Sequence, residues 1–396
     1  MSAFTRLRGV ALLLVAAALS GCAAHSFPLS NRFVYPVASC APTGETPCIA
    51  KDAAEVFVDV NGSFYPSGWQ KYVHPRMSKK RLGEGKWLAG SLLAAAGRNR
   101  AFRSLIERDT VRQLAEIKAF SARHKRVFIL IHGFNASVDD ARAPFETVEA
   151  GLNLQPGDGI IRFYWDGLIG KGAGIIKTWF RAANASQLAG SRGLRDILNQ
   201  IDNRDVFVIT HSRGASVALS AIGNPVYKSK FVTNQKRSAI LWGKSLRGLL
   251  SPGPLASNGN SLHLLMLAPA IDRIDFCDAS QQPANSKGFV CSVFRPLGAQ
   301  VKSVAYTVNE SDPILGKSIL SSRALVATGL GVLPEVGRTL KAERYPNLQE
   351  YVFEKPESFH AFKDYAVHPV FLKMLFDAGI GRPLLIIPAE TEPLVR

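Results

Sequence analysis

Ser212 stands where a short apolar run, Asp205 to Ile209 (DVFVI), passes through Thr210-His211-Ser212-Arg213-Gly214 into the small-residue stretch ASVALSAI. A serine at such a strand-to-helix turn is held with its hydroxyl exposed above a sheet, the layout of a nucleophile elbow. Ser-x-Gly also occurs at Ser191, Ser251, Ser257 and Ser286, but none of these follows a buried-strand pattern, so context selects Ser212. Thr210 replaces the first glycine of Gly-x-Ser-x-Gly, whereas Gly214 is present where the following helix must pack closely.

A serine hydroxyl needs a base to take its proton, and the base needs an acid to fix its tautomer and stabilise its charged form. In this layout the chain order is serine, acid, histidine, each on a loop after a strand. VKSVAYTV (Val301 to Val308) leads to Asn309-Glu310-Ser311-Asp312-Pro313, and QEYVFE (Gln349 to Glu354) is followed within six residues by His360. Asp312 and His360 therefore fall where the order demands. Asp312 also suits a plain turn before a proline, and Asp272 in APAID is the rival acid, with Glu310 a weaker one. His368 precedes Pro369 and a last helical pattern, which suits the start of a helix better than a base. His132 and His211 lie too close to the turn backbone to swing onto Ser212 and read as structural hydrogen-bonding residues. RVFILI (Arg126 to Ile131) ends in the chain's one His-Gly pair, His132-Gly133, followed by Phe134-Asn135. The backbone N–H groups of Phe134 and Arg213 are thus the candidate oxyanion donors.

Taken together, VFILIHGFNAS, RFYWDG, THSRGA and LLMLAPAID resemble a bacterial family of α/β hydrolases without a defined function, over roughly Arg126 to Pro369. The resemblance implies an α/β-hydrolase fold and a serine mechanism. The chain departs from it at Asp166, where a proline usually follows the tryptophan.

The elements that must carry these residues alternate between strand and helix, which calls for a mostly parallel sheet covered on both faces. EVFVDV (Glu55 to Val60) is an early strand. Asp109 to His124 has helical spacing, with Val111, Leu114, Ile117 and Phe120 on one face. A helix begins near Val138 with Ser137 as its cap, GIIRFYW (Gly159 to Trp165) is a strand, and a helix over Ser191 to Ile201 precedes the elbow strand. LHLLML (Leu262 to Leu267) is the sixth strand. Long connections at about 224–259 and 315–345 read as insertions; connections of this length are often lids or binding elements. The first is basic with aromatic and aliphatic residues between, suited to a lipid surface or a solvated helix. The second has an apolar middle that could line a pocket or pad the core.

At the N-terminus, Arg6 and Arg8 precede an apolar stretch from Val10 to Leu19, too short to span a bilayer as a helix. It ends in Leu19-Ser20-Gly21-Cys22, which resembles the lipobox of bacterial lipoproteins. That reading gives a signal peptide over 1–21, an acylated Cys22, a tether or N-terminal extension over 22–54, and a hydrolase domain over 55–396. Cys22 is the odd one of five cysteines, leaving Cys40 with Cys48 and Cys277 with Cys291 as short-range pairs, expected as disulfides in an exported chain. The expected place is the bacterial cell envelope, lipid-anchored at the outer membrane and facing the periplasm. Net charge is +17, from 48 Lys and Arg against 31 Asp and Glu. For a tethered protein this favours anionic headgroups; no nucleic-acid recognition module is present. No metal-ligand spacing appears, and the chemistry needs no cofactor. The expected activity is cleavage of an ester, of a lipid or a small carboxylic acid, through an acyl-enzyme. The alternative is a non-catalytic envelope lipoprotein that uses the same scaffold for binding.

Overall fold

The computed structural model describes residues 34–39, 49–73, 92, 96, 99–170, 174–227, 253–278, 293–316, 328–355 and 357–382. Eight strands form one sheet: β1 (Val34–Ser39), β2 (Ile49–Val58), β3 (Arg126–Ile131), β4 (Asp158–Trp165), β5 (Asp205–His211), β6 (Ser261–Leu267), β7 (Val301–Val308) and β8 (Leu348–Val352). Their spatial order is β1-β2-β4-β3-β5-β6-β7-β8. β1 pairs antiparallel with β2, and the seven strands from β2 onward run parallel. The central runs are apolar at nearly every position because both faces are covered. Val127, Ile129 and Ile131 enter one core layer while Phe128 and Leu130 enter the other, and Val206 and Val208 alternate with Phe207 and Ile209 in the same way.

The covering helices are α1 (Arg100–Ala122), α2 (Val138–Gly151), α3 (Gly174–Leu188), α4 (Gly214–Ile222), α5 (Pro334–Glu343), α6 (Phe362–Val367) and α7 (Pro369–Asp377). α2 starts on the expected Ser137 cap, which forms a reciprocal capping box with Asp140. α3 continues through a π-helical turn (Ala189–Leu194) into Arg195–Leu198, so the helix expected over Ser191 to Ile201 is the end of a longer one. At that turn the backbones approach closely: a Cβ on Gly190 would lie 2.1 Å from the Val217 carbonyl oxygen in α4.

Four sequence expectations change. The sheet begins at residue 34 and not at 55, because β1 and the start of β2 lie within the stretch read as a tether. α1 begins nine residues before Asp109, with Asn99 capping it through Phe102 N–H. Its buried stripe is Phe102, Ile106, Asp109, Gln113, Ile117 and Phe120, whereas Val111 is 69% exposed. The polar members of that stripe hold the segment after β2: Asp109 accepts from Ser67 N–H at 2.8 Å and Gln113 donates to the Tyr65 carbonyl at 2.9 Å. Finally, much of the second insertion is the crossover between β7 and β8. It contains α5, and Leu330, Val332 and Leu340 are buried core residues. Of the first insertion, residues 228–252 lie outside the described residues, as do Cys22, Cys40, Cys48 and Cys291.

Candidate active site

The turn from β5 into α4 is built by steric necessity. Ser212 adopts φ +52°, a left-handed conformation that costs a non-glycine residue free energy and persists only when its surroundings impose it. Its N–H donates to the Leu267 carbonyl at 2.9 Å, and its own carbonyl accepts from Ala270 N–H at 3.1 Å. Both partners lie at or just beyond the end of β6, so the neighbouring strand fixes the elbow from outside. Two glycines make room for it. A Cβ on Gly133 would stand 2.9 Å from Ser212 Cβ, and one on Gly214 would stand 2.8 Å from the His132 carbonyl oxygen.

Around that serine the structure brings together the three residues expected from chain order. Ser212 Oγ lies 3.1 Å from His360 Nε2, and His360 Nδ1 lies 2.7 Å from Asp312 Oδ2. The carboxylate only accepts, so Nδ1 carries the proton and Nε2 is left to accept from the serine hydroxyl. Asp312 is fully buried yet has four donors. Ile314 N–H and Leu315 N–H bind Oδ1 at 2.9 and 3.0 Å, and the Tyr365 hydroxyl joins His360 on Oδ2 at 2.9 Å. Burial, with the neighbouring Asp312 charge, pushes the Tyr365 phenol far up, so it stays a donor. Asn309 clamps the loop after β7 to the loop after β8, donating to the Glu357 carbonyl at 2.7 Å and accepting from Glu357 N–H at 3.1 Å.

On the other side of Ser212, Phe134 N–H has no acceptor among the described residues, and Arg213 N–H follows the serine into the helix start. The Phe134 ring meets Trp179 edge-on at 5.2 Å, while the buried Arg213 guanidinium lies over the same indole at 5.5 Å and donates to the Ala270 carbonyl. The loop after β4 braces this corner: Asn135 takes φ +60° and accepts from Gly170 N–H at 2.7 Å. Asp166, where the resembled family has proline, accepts from Leu168 N–H at 3.1 Å and so closes the turn with a side chain.

His132 accepts from Trp165 N–H at Nε2 (3.2 Å), so its Nδ1–H donates to the Gly133 carbonyl at 2.8 Å. Burial holds it neutral, with its pKa lowered to about 4. The rival acids and base have other duties. Asp272 caps the 3-10 turn Arg273–Phe276, accepting from Arg273 N–H at 2.7 Å, and Glu310 is exposed. His368 caps α7 through Val370 N–H at 3.2 Å and stacks on Phe353 at 4.0 Å. Tyr365, Asn309 and Trp179 have no signal in the sequence: each acts across tens of residues through one side chain. Among the described residues no cluster of His, Cys, Asp and Glu is placed to hold a metal, and no helix is long and apolar enough to cross a membrane.

No curated protein matches the chain. Among solved structures, an acetyl xylan esterase in an iodinated complex is 16% identical over 56% of this chain and 98% of its own, with a TM-score of 0.29. RedJ with a PEG molecule bound in its active site is 11% identical over 65% of this chain and 90% of its own, with a TM-score of 0.26. Likenesses at that level carry no argument about this site. A family model does match: residues 109–302 fit the one described as alpha/beta hydrolase of unknown function (DUF900), from the middle of α1 to the first residues of β7. The strand order and the elbow agree with that match, which spans just under half of the chain, and the fold is that of an α/β hydrolase.

Proposed function

We propose that this α/β hydrolase cleaves a carboxylic ester through an acyl-enzyme formed on Ser212. The observation that carries the reading is the continuous relay from Ser212 Oγ through both nitrogens of His360 to Asp312, at 3.1 and 2.7 Å. As Oγ bonds to the ester carbonyl carbon, its proton passes to His360 Nε2, and the buried Asp312 carboxylate stabilises the imidazolium. The carbonyl oxygen gains the negative charge and meets Phe134 and Arg213 N–H, donors fixed in place before reaction. Collapse breaks the carbon–alkoxide bond, and the imidazolium protonates the departing alcohol. Water then attacks the acyl-serine, giving its proton to His360, and the carboxylic acid leaves with Ser212 restored. No step requires a cofactor. Lipid, acyl-glycerol and small carboxylic esters all fit this chemistry, as do thioesters and amides.

Reaction with a fluorophosphonate probe tests the reading. The wild type should label at Ser212 alone, and Ser212→Ala should remove labelling while leaving the fold intact. A folded wild type that never labels would support a binding scaffold instead.

We further propose that the enzyme is a lipoprotein of the bacterial envelope, anchored through acylated Cys22 and drawn to anionic headgroups by its charge of +17. The disulfides Cys40–Cys48 and Cys277–Cys291 belong to the same export reading. The second is supported by the bridge between Cys277 and Phe294, which folds residues 293–295 back onto 276–278. Mass spectrometry of the unreduced mature protein reads all three: an acyl group on Cys22 and two cross-linked peptides are expected. An unmodified N-terminus downstream of Cys22, or four free thiols, would refute them.

A further inference from the structure

His211 immediately precedes Ser212 and takes no part in the proton relay, yet it touches the loop that carries His360 and lies against the loop that carries Phe134. Its Nε2 lies 2.9 Å from the backbone carbonyl oxygen of His360. A carbonyl can only accept, so Nε2 bears the proton and donates. The ring lies face to face with Phe362, 4.8 Å away and tilted by 5°, which fixes its plane from the segment just after His360. On its other edge, Gly133 of the oxyanion loop approaches so closely that a Cβ there would lie 3.0 Å from His211 Nδ1.

Among its described residues, the loop between β8 and α6 that carries His360 has no helix or strand, so its position depends on few ties. Asn309 holds it at Glu357, three residues before His360. His211 holds it at His360 itself. The geometry points to His211 as a positioning residue: its Nε2–H fixes the His360 backbone relative to the elbow and so sets the 3.1 Å gap between His360 Nε2 and Ser212 Oγ. This inference rests on the hydrolase reading above.

The surroundings suit the role. The His360 ring is 5.1 Å from the His211 ring, and when His360 takes the serine proton a second positive charge beside it would oppose the transfer. Burial above all, and then the neighbouring His360, push the His211 pKa well below the usual histidine value. His132 and Tyr365, the other titratable groups facing it, are neutral for the reasons given above. His211 thus stays an uncharged donor while His360 charges and discharges.

Two variants separate donation from packing. His211→Phe keeps a ring against Phe362 but loses the donor, whereas the side-chain amide of His211→Gln reaches about as far as Nε2 and restores it. In the Phe variant, fluorophosphonate labelling and kcat for a short ester should fall about 10- to 100-fold, because displacements near 1 Å cost that much. KM should change less than about threefold and the Gln variant should recover to within about fivefold of wild type, since only the transition-state geometry is affected. Equal labelling of wild type and the folded Phe variant overturns the assignment, as does an equal loss in both variants that tracks a falling Tm. Nitrogen-15 NMR of the wild-type imidazoles needs no variant. His211 should remain the neutral Nε2–H tautomer, and an Nδ1–H tautomer overturns the role. A wild type that never labels removes the hydrolase reading and this assignment together.

Discussion

The exits of β3 to β6 and the exits of β7 and β8 meet at one site but are held in place by different physics. Asn135, Leu168, Ser212 and Ala268 follow β3, β4, β5 and β6 respectively by no more than four residues, with φ of 60°, 58°, 52° and 42°. They are four of the five non-glycine residues with positive φ among the described residues. Each costs on the order of 1 kcal/mol or more, and such strain survives only where packing leaves no alternative. The loops after β7 and β8 contain no positive φ among the described residues. There Asp312 and His360 are placed by individual side-chain hydrogen bonds from Asn309, Tyr365 and His211. Ser212, the proposed nucleophile, is fixed by backbone sterics, and the Asp312–His360 pair by replaceable polar atoms. Substitutions in the first region should therefore act through stability, and those in the second through rate.

The sharpest break of that contrast lies within the second region, between two histidines eight residues apart. His360→Ala removes the proposed base and should lower turnover of a generic ester by about 10³-fold or more, as loss of a triad member does elsewhere. His368 caps α7 and stacks on Phe353. His368→Ala should cost under about tenfold in turnover but roughly 1 kcal/mol in stability, the usual worth of a cap. Urea unfolding and steady-state kinetics on the same samples decide the matter. The reverse order of rate effects would move the base to His368.

In the first region, Gly214→Ala places a methyl group 2.8 and 2.9 Å from the backbone oxygens of His132 and Ile131, neither of which can rotate away. We expect a loss of about 2–3 kcal/mol, typical of overpacking a closed site. Gly298→Ala is the control: nothing lies within 4 Å of its added Cβ, and the change should stay within about 0.5 kcal/mol. If Gly214→Ala is as mild as the control, the elbow is not sterically enforced and the contrast fails.

The same division explains what the sequence reveals. LHLLML and GIIRFYW match β6 and β4 to within one residue, because strands covered on both faces are largely apolar, and VKSVAYTV matches β7 at both ends, its last five residues being buried. Ser212 is legible because it directly follows such a strand, and Asp312 and His360 because each lies in the loop after a later strand, four residues beyond β7 and eight beyond β8. β1 is not, since VYPVAS carries Pro36, which only an edge strand accommodates, and its pairing depends on a partner elsewhere in the chain. Tyr365 and Asn309 are not legible either. Tyr365 reaches Asp312 across 53 residues and Asn309 reaches Glu357 across 48, and no spacing rule spans such distances. Backbone constraint leaves a trace in residue type at the site itself, whereas long-range side-chain bonds leave none.

The smallest effect tests the strain directly, through a reversal of sign. In ordinary helical backbone, glycine is less stable than alanine by about 1 kcal/mol because it loses more freedom on folding. At φ +52° an alanine Cβ crowds the following carbonyl, a penalty of roughly 1–2 kcal/mol that glycine avoids. Ser212→Ala and Ser212→Gly remove the same hydroxyl and should be equally inactive, so their difference in stability reports the backbone alone. The glycine variant should be the more stable by up to about 1 kcal/mol once chain entropy is subtracted. Ser216, one turn further into α4, supplies the opposite case. Its hydroxyl lies 3.2 Å from Ser186 Oγ and 3.5 Å from Asp275, contacts that alanine and glycine lose alike. There glycine should be the less stable by about 1 kcal/mol. Alanine more stable than glycine at both positions would mean that Ser212 carries no strain, and that the two regions are held by the same means.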